Sequence, residues 1–440
     1  MSQTIILGGG FAGLSLASFL ERECLVLEKE DRLGGLSRSF DLNGVAFDIG
    51  PHILFSKNQR VLDFHTRLVE TNRLRRSNQI FHEGRLIKYP FENDLGSLPP
   101  DERDYCLKEF LDNPYADYPA SNMLQFFMKT FGEGITRTYL QPYNEKIWKF
   151  DPAFMDTQMV ERIPKPPKED VIKSANGVAT EGYLHQLYFH YPKAGGYQSL
   201  VDAYAERARR PGPGARRGAR IETGTAVRRV EKAAGGWRVT TARGVFEAEE
   251  LINCMPLHEL FRCLDAPAEI VETAGRLRYN SIYIIVLQVK RDAIGDHFAL
   301  YFADKGVLFH RASKLDFLGE SYRLRGGGST LLLEVTYRPD SYLSTWSADA
   351  VRERAIDDLA RLGLIKKGDV LDSVIQSHRY AYPIYDLDHR RNTDRVLAWL
   401  KGLGIRCSGR FAEFEYLNTD AVAEHALALA EELNGAEVSL

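Results

Sequence analysis

The chain has 440 residues, enough for roughly two to three domains with ample core. Its net charge of −3 and isoelectric point near 6.4 give no reason to expect nucleic acid or an anionic membrane as partner, so a site for an anionic ligand has to be a local arginine cluster. The cysteines, Cys24, Cys106, Cys254, Cys263 and Cys407, are scattered without metal-ligand spacing, which argues against a cysteine metal centre and suits a reducing cytoplasm.

Residues 4–7 predict a short buried strand. Gly8-x-Gly10-x-x-Gly13 follows at once, and a helix is expected over residues 11–21. Because an apolar strand starts the chain, no signal peptide is expected. A second apolar strand over residues 24–27 ends in Glu28. Strand, glycine loop, helix and acidic strand end form a dinucleotide-binding βαβ unit. Gly8 allows the tight turn, Gly10 lets a pyrophosphate approach the backbone, and Gly13 lets helix and strand pack closely. The helix start, with Phe11 and Ala12, supplies free N–H groups for phosphates, and Glu28 can accept from ribose hydroxyls. The continuation Glu28-Lys29-Glu30-Asp31-Arg32-Leu33-Gly34-Gly35 resembles the E-x₃-R-x-G-G extension of the flavin amine oxidase superfamily. That resemblance implies FAD rather than NAD, with Arg32, Gly34 and Gly35 over its pyrophosphate.

Further along, residues 45–56 read as an apolar strand broken by Gly50-Pro51, with His52 just beyond the turn. An amphipathic helix is expected over residues 58–73 and a hairpin over 80–89, around Glu83-Gly84. A helix starts near residues 98–102, and an apolar-rich helix covers 123–139. The segment 164–168 is rich in Pro and Lys and breaks regular structure. Gly195-Gly196 introduces a helix over 197–209, and an exposed Pro/Gly/Arg loop spans 210–220. Residues 219–254 alternate in a β-rich pattern, and their last strand, 248–254, carries Asn253 near its tip and leaves Cys254 as packing. Strands are expected over 281–289, 299–310 and 329–336, and helices over 351–362 and 419–434. No apolar run reaches the ~18 residues of a membrane helix. The expected fold is α/β. A Rossmann-type, amine-oxidase-like FAD-binding domain is assembled from residues 1–60, 195–260 and 400–440. Residues 61–194 form a helical insertion, and 261–399 a ligand-facing antiparallel sheet.

Several segments carry chemistry. They are Pro142-Tyr143-Asn144-Glu145-Lys146-Ile147-Trp148, Arg162, the pair Tyr301 and Arg311, Tyr382 before Pro383, Gly409-Arg410, Tyr416 and Asn418-Thr419. Together they resemble UDP-galactopyranose mutase, its eukaryotic-type branch most closely, in scattered blocks from about Thr4 to Ala428. The resemblance implies that Arg311 and Arg410 bind a diphosphate beside Tyr301, Tyr382 and Tyr416. It gives Asn144, Trp148 and Arg162 to the substrate, and Gly409, Arg410, Asn418 and Thr419 to FAD. His52 falls at the family's flavin-side histidine, and Tyr89-Pro90-Phe91 at its nucleobase motif. The activity implied is a non-redox one, interconversion of pyranose and furanose forms of a nucleoside-diphosphate sugar. In it the N5 of reduced FAD is the nucleophile on the anomeric carbon. NAD(P)H is then a candidate reductant, the compartment is cytoplasmic, and homo-oligomerisation is open.

The residue types suit that chemistry. Arginine forks grip diphosphate oxygens bidentately, and tyrosine hydroxyls add donors while their rings exclude water. Taken singly, an arginine is usually a solvated charge and a tyrosine half-buried packing. Five at matching spacing favour a site. His52 is expected to hold a conformation at the flavin edge rather than act as the main acid or base. Three departures stand out. Gly50-Pro51-His52 replaces Gly-Gly-His, and Pro51 has no N–H to offer. Glu92 replaces a glutamine, and an acceptor-only carboxylate suits guanine N–H donors better than uracil. Gln186 stands near a family asparagine. The competing expectation is an FAD-dependent oxidoreductase of the amine oxidase or protoporphyrinogen oxidase type. A flavin-bearing binding protein without turnover is a further alternative.

Overall fold

A computed structural model describes residues 2–160, 163, 165–182, 187–211, 217–438 and 440. Arg162 and Gln186 lie outside the described residues.

The opening strand Ser2–Leu7 runs parallel to Cys24–Leu27 on one side and to Gly244–Asn253 on the other. Cys24–Leu27 pairs in parallel with Arg220–Glu222, and Gly244–Asn253 with Ile405–Cys407. The hairpin strands Val227–Ala233 and Gly236–Thr241 complete this seven-stranded sheet. Sequence-distant strands thus meet around the opening strand. The expected first helix is shorter than residues 11–21, spanning Phe11–Phe19. It is apolar on nearly every side because it is buried between the sheet and the helices Gln198–Arg209 and Thr419–Asn434.

A second sheet follows the order Val370–Pro383, Tyr279–Val289, Ser329–Tyr337, Arg311–Lys314, Ala299–Tyr301, Asn78–His82, Arg85–Lys88. Tyr279–Val289 is buried along its whole length. Its alternate faces explain this: Tyr283, Ile285 and Leu287 enter one core cluster, and Ile282, Ile284 and Val286 another. The expected hairpin around Glu83-Gly84 is present and adds its strands to this sheet.

Two expectations are corrected. Residues 299–310 do not form one strand. Ala299–Tyr301 ends in a turn where the Gly306 N–H donates to Asp304 Oδ1 (2.7 Å), and the chain returns as Arg311–Lys314. The helix expected over 58–73 stops at Gln59–Leu68, capped by Asn58, and Thr71–Arg75 pairs as a strand with Tyr188–Pro192. Tertiary pairing overrides helix propensity there. Among the described residues no helix is long and apolar enough to cross a membrane.

Candidate functional site

A cavity of about 640 Å³ lies between the second sheet, the loop after Val45–Asp48, the helix Gln141–Trp148 and the turn before Thr419–Asn434. His52, Tyr89, Asn144, Trp148, Tyr301, Arg311, Tyr382, Arg410, Tyr416, Asn418 and Thr419 all line it. Residues more than 350 positions apart therefore share one wall.

The second sheet brings the first group together. Tyr301 pairs across strands with Arg311, and Arg311 with Glu334. Arg311 is held bidentately: its Nη2 donates to Glu334 Oε1 (2.8 Å) and its Nε to Oε2. Glu334 is fully buried. A Cβ at Gly50, whose φ is +78°, would stand 2.9 Å from Glu334 Oε1. The turn leading to His52 therefore needs glycine at 50 to pass the ion pair.

Arg410 is placed differently. Its Nε donates to the Leu417 carbonyl (2.8 Å), as does Nη2 (2.5 Å), and Nη1 donates to the Ala381 carbonyl (3.3 Å). Among the described residues it forms no ion pair. Its guanidinium lies 5.8 Å from the Tyr382 ring centre and 5.3 Å from that of Tyr416. The Trp148 indole meets both tyrosines edge-on at 5.8 Å. The two arginines are thus unequal. Glu334 neutralises one, while the other keeps its charge among carbonyls and aromatic rings.

Trp148 Nε1 donates to Asn144 Oδ1 (2.9 Å), and Asn144 Nδ2 donates to the Leu140 carbonyl (2.7 Å). The Asn144 amide, on the cavity wall, thus holds the indole in place. Tyr89 lies against Tyr301 at 5.1 Å. Phe91 and Glu92 are not in the cavity wall. Phe91 stacks on Tyr139 inside the insertion, at 5.0 Å and 10°. Glu92 is buried, and burial pushes its carboxyl up to about 7. Glu92 does not line the cavity, so the guanine expectation gains no support from its position.

His52 is neutral. Burial, then the charges of Arg410 and Arg311, lower its pKa to about 3. Its ring leans on Tyr197 at 5.2 Å. Behind it lies Asp48, which accepts from Ser39 Oγ (2.6 Å), Tyr191 OH (2.8 Å) and the Tyr197 N–H (3.0 Å). Asp48, Glu334, Asn78 and His310 escaped sequence reading. For Asp48 and Glu334 a signal existed: each is a lone acid inside an apolar strand, in Val45-Ala46-Phe47-Asp48-Ile49 and Leu331-Leu332-Leu333-Glu334-Val335. A charge in such a run is buried and must find a partner.

The glycine loop lies apart from this cavity and fits a dinucleotide. A Cβ on Gly13 would fall 2.0 Å from the Gly8 carbonyl oxygen, and one on Gly35 3.2 Å from Gly10 Cα. The helix starts at Gly10 without a side-chain cap, so its first N–H groups are left for a phosphate. Gly409 packs on Ala12, where an added Cβ would come within 2.6 Å. Glu28 Oε2 accepts from the Gly9 N–H (2.7 Å) and Oε1 from the Glu30 N–H (2.9 Å). It thus braces the turn, with lone pairs remaining for a ribose. Arg32 Nη2 donates to Gln198 Oε1 (3.4 Å) beside Phe40. Tyr197 OH donates to Thr419 Oγ1 (2.6 Å), tying the final helix to this region.

A family model described as flavin containing amine oxidoreductase matches residues 11–390. The chain belongs to that family. As a flavin containing amine oxidoreductase family member it uses FAD, and its fold is the family's FAD-binding α/β fold. The crystal structure of reduced UDP-galactopyranose mutase superposes with a TM-score of 0.88 at 25% identity, covering 99% of this chain and 94% of that one. A protein from Exiguobacterium sp. 255-15, provisionally assigned as a protoporphyrinogen oxidase, gives 0.76 at 16% identity over 98% of each chain. A double mutant of putrescine oxidase gives 0.66 at 16% identity over 99% of each. An uncharacterised Methanothermococcus thermolithotrophicus protein is 40% identical over 72 residues, which are 15% of this chain and 70% of that protein.

Proposed function

We propose that this family member is a nucleotide-sugar mutase, interconverting pyranose and furanose forms of a nucleoside-diphosphate sugar with its FAD reduced. The carrying observation is the meeting of Arg311 and Arg410 with Tyr301, Tyr382, Tyr416 and Trp148 in the cavity that His52 also lines. The extent of the match to reduced UDP-galactopyranose mutase supports the same reading.

In this reading residues 8–13, Glu28, Arg32, Gly34, Gly35, Gly409, Asn418 and Thr419 hold FAD, with His52 at the edge of its ring system. Bound and reduced, FAD supplies an electron-rich nitrogen for the anomeric carbon. The protein's task is to hold the diphosphate as it leaves and to keep water out. Arg410 meets the developing charge with an uncompensated guanidinium. Arg311, oriented by Glu334, offers its remaining N–H groups in a fixed direction. The tyrosine hydroxyls donate, and burial keeps Tyr382 protonated by raising its pKa. The Trp148 indole, locked by Asn144, walls the sugar side. NAD(P)H serves as candidate reductant.

The family's own description favours a second reading, oxidation of an amine. Arg410 counts against it, because a protonated amine would meet its uncompensated guanidinium charge in the cavity. The test reduces the flavin with dithionite, adds UDP-galactose or a GDP-sugar, and separates the products by chromatography. Ring-contracted sugar nucleotide from the reduced protein supports the mutase. Oxygen consumption with an amine, and no sugar product, replaces it with the oxidase.

A further inference from the structure

The helix Gln141–Trp148 carries Tyr143, Asn144, Ile147 and Trp148 into the cavity wall, and it ends abruptly. Lys149 closes it in the left-handed region, at φ +51°, where a residue other than glycine is uncommon. The last carbonyls of a helix have no partner within it. Here the second sheet supplies the donors. Thr336 Oγ1 donates to the Lys146 carbonyl (3.3 Å), and Asn280 Nδ2 donates to the carbonyls of Ile147 (3.0 Å) and Trp148 (2.7 Å). The two side chains come from the paired strands Ser329–Tyr337 and Tyr279–Val289.

Asn280 has no exposed surface and does not line the cavity, so it stands behind the wall and meets no ligand itself. It pairs across strands with Tyr382, and the Trp148 indole meets the Tyr382 ring edge-on at 5.8 Å. One buried amide therefore joins the backbone of Trp148 to the strand position opposite Tyr382. Only its nitrogen can do this, because a carbonyl needs a donor. The other end of the amide carries a cost: Asn280 Oδ1 is buried with no hydrogen-bond partner among the described residues. A leucine of similar size would avoid that cost but would hold neither carbonyl. What the asparagine adds over an apolar side chain is its grip on the helix end. Asn144 orients the indole ring from within the helix, whereas Asn280 sets where the helix end stands.

We propose that Asn280 is a positioning residue for the aromatic wall: by holding the Ile147 and Trp148 carbonyls it fixes the Trp148 indole against Tyr382 and Tyr416. The consequence for the ligand, a wall fitted to the sugar, rests on the nucleotide-sugar reading above.

The experiment takes the FAD-loaded protein as a square of variants: wild type, Asn280→Leu, Trp148→Phe and the two together. Asn280→Ala, which also lacks the donors and adds no bulk, is measured alongside in case the leucine variant does not fold. Trp148 is one of four tryptophans, so its own emission is the difference between each protein and its Trp148→Phe counterpart. The indole is 6% exposed, and loss of Asn280 is expected to shift this difference emission to the red and to open it to acrylamide quenching. An unchanged difference emission overturns the proposal, since a merely structural Asn280 would lower the melting temperature and leave Trp148 in place. Calorimetry with UDP-galactose gives the second readout. Asn280→Leu is expected to weaken binding about fivefold when Trp148 is present and less than about twofold in the Trp148→Phe background. Equal losses in the two backgrounds would mean that Asn280 does not act through Trp148, and overturn the proposal. If the wild type does not bind UDP-galactose, that counts against the nucleotide-sugar reading, and the emission measurement by itself decides the role of Asn280.

Discussion

The Arg311–Glu334 pair offers a quantitative test of how the cavity is built. Glu334 has no exposed side-chain surface and Arg311 only 22%. Removing one partner of such a pair strands the other's charge in a poorly solvated place, at a cost of about 3–5 kcal/mol. The residual exposure of Arg311 puts Glu334→Ala near the lower end, about 3 kcal/mol. Replacing both charges by apolar groups, as in Glu334→Leu with Arg311→Met, removes the stranded charge and should be neutral or stabilising. Urea denaturation of the FAD-loaded protein, followed by tryptophan fluorescence and flavin release, measures both. Urea is preferred to guanidinium because it does not screen charge. Urea slopes of about 1–3 kcal/mol per molar hold for small proteins and grow with size, so in this 440-residue chain the single variant should lower the midpoint by about 0.5 M or more. The double variant should return close to wild type. A single-variant shift below about 0.3 M would mean that water already screens the pair. A double variant as unstable as the single would mean that packing, not charge, is what Glu334 supplies.

Three further outcomes follow from the same geometry. His52 should show no titration between pH 5 and 9 by NMR of labelled imidazole carbons. Because its folded pKa of about 3 lies below the unfolded value of about 6.5, its contribution to stability is complete above pH 6.5 and is lost as pH falls toward 3; a His52 midpoint near 6.5 in the folded protein would contradict this. Gly13→Ala forces a methyl to 2.0 Å from the Gly8 carbonyl oxygen and should yield protein almost without flavin, read as the ratio of absorbance at about 450 nm to that of the protein band; normal flavin content would refute the close approach. Trp148→Phe removes the indole bond to Asn144 and should destabilise by about 1 kcal/mol in the same urea assay while keeping FAD; a loss below about 0.3 kcal/mol would show that the bond adds nothing to the wall.

Local signals carried a large part of this protein. The glycine loop, the flanking strands and Glu28 were legible because each role is met within about 25 residues, and backbone sterics at Gly8 and Gly13 leave few alternatives. Largely apolar, β-branched runs likewise marked strands over 281–289 and 329–336, inside the observed Tyr279–Val289 and Ser329–Tyr337, because a strand buried on both faces is mostly apolar. Which strands neighbour one another was another matter. Ile405–Cys407 pairs with Gly244–Asn253, and Asn78–His82 joins Ala299–Tyr301, through contacts that no local pattern encodes.

The site shows the same division. The family resemblance marked Arg311, Arg410 and their tyrosines, but not that the two arginines differ. Only cross-strand register sets Glu334 beside Arg311, and only the turn at 409–417 leaves Arg410 among carbonyls. Tertiary packing also buried Phe91 and Glu92 away from the cavity wall. Sequence by itself determined the cofactor loop and which residue types could meet a diphosphate, since these depend on backbone freedom and side-chain chemistry. Folding alone decided which charges are compensated and which polar atoms face the cavity, because a group's charge and hydrogen bonding are set by neighbours hundreds of residues away.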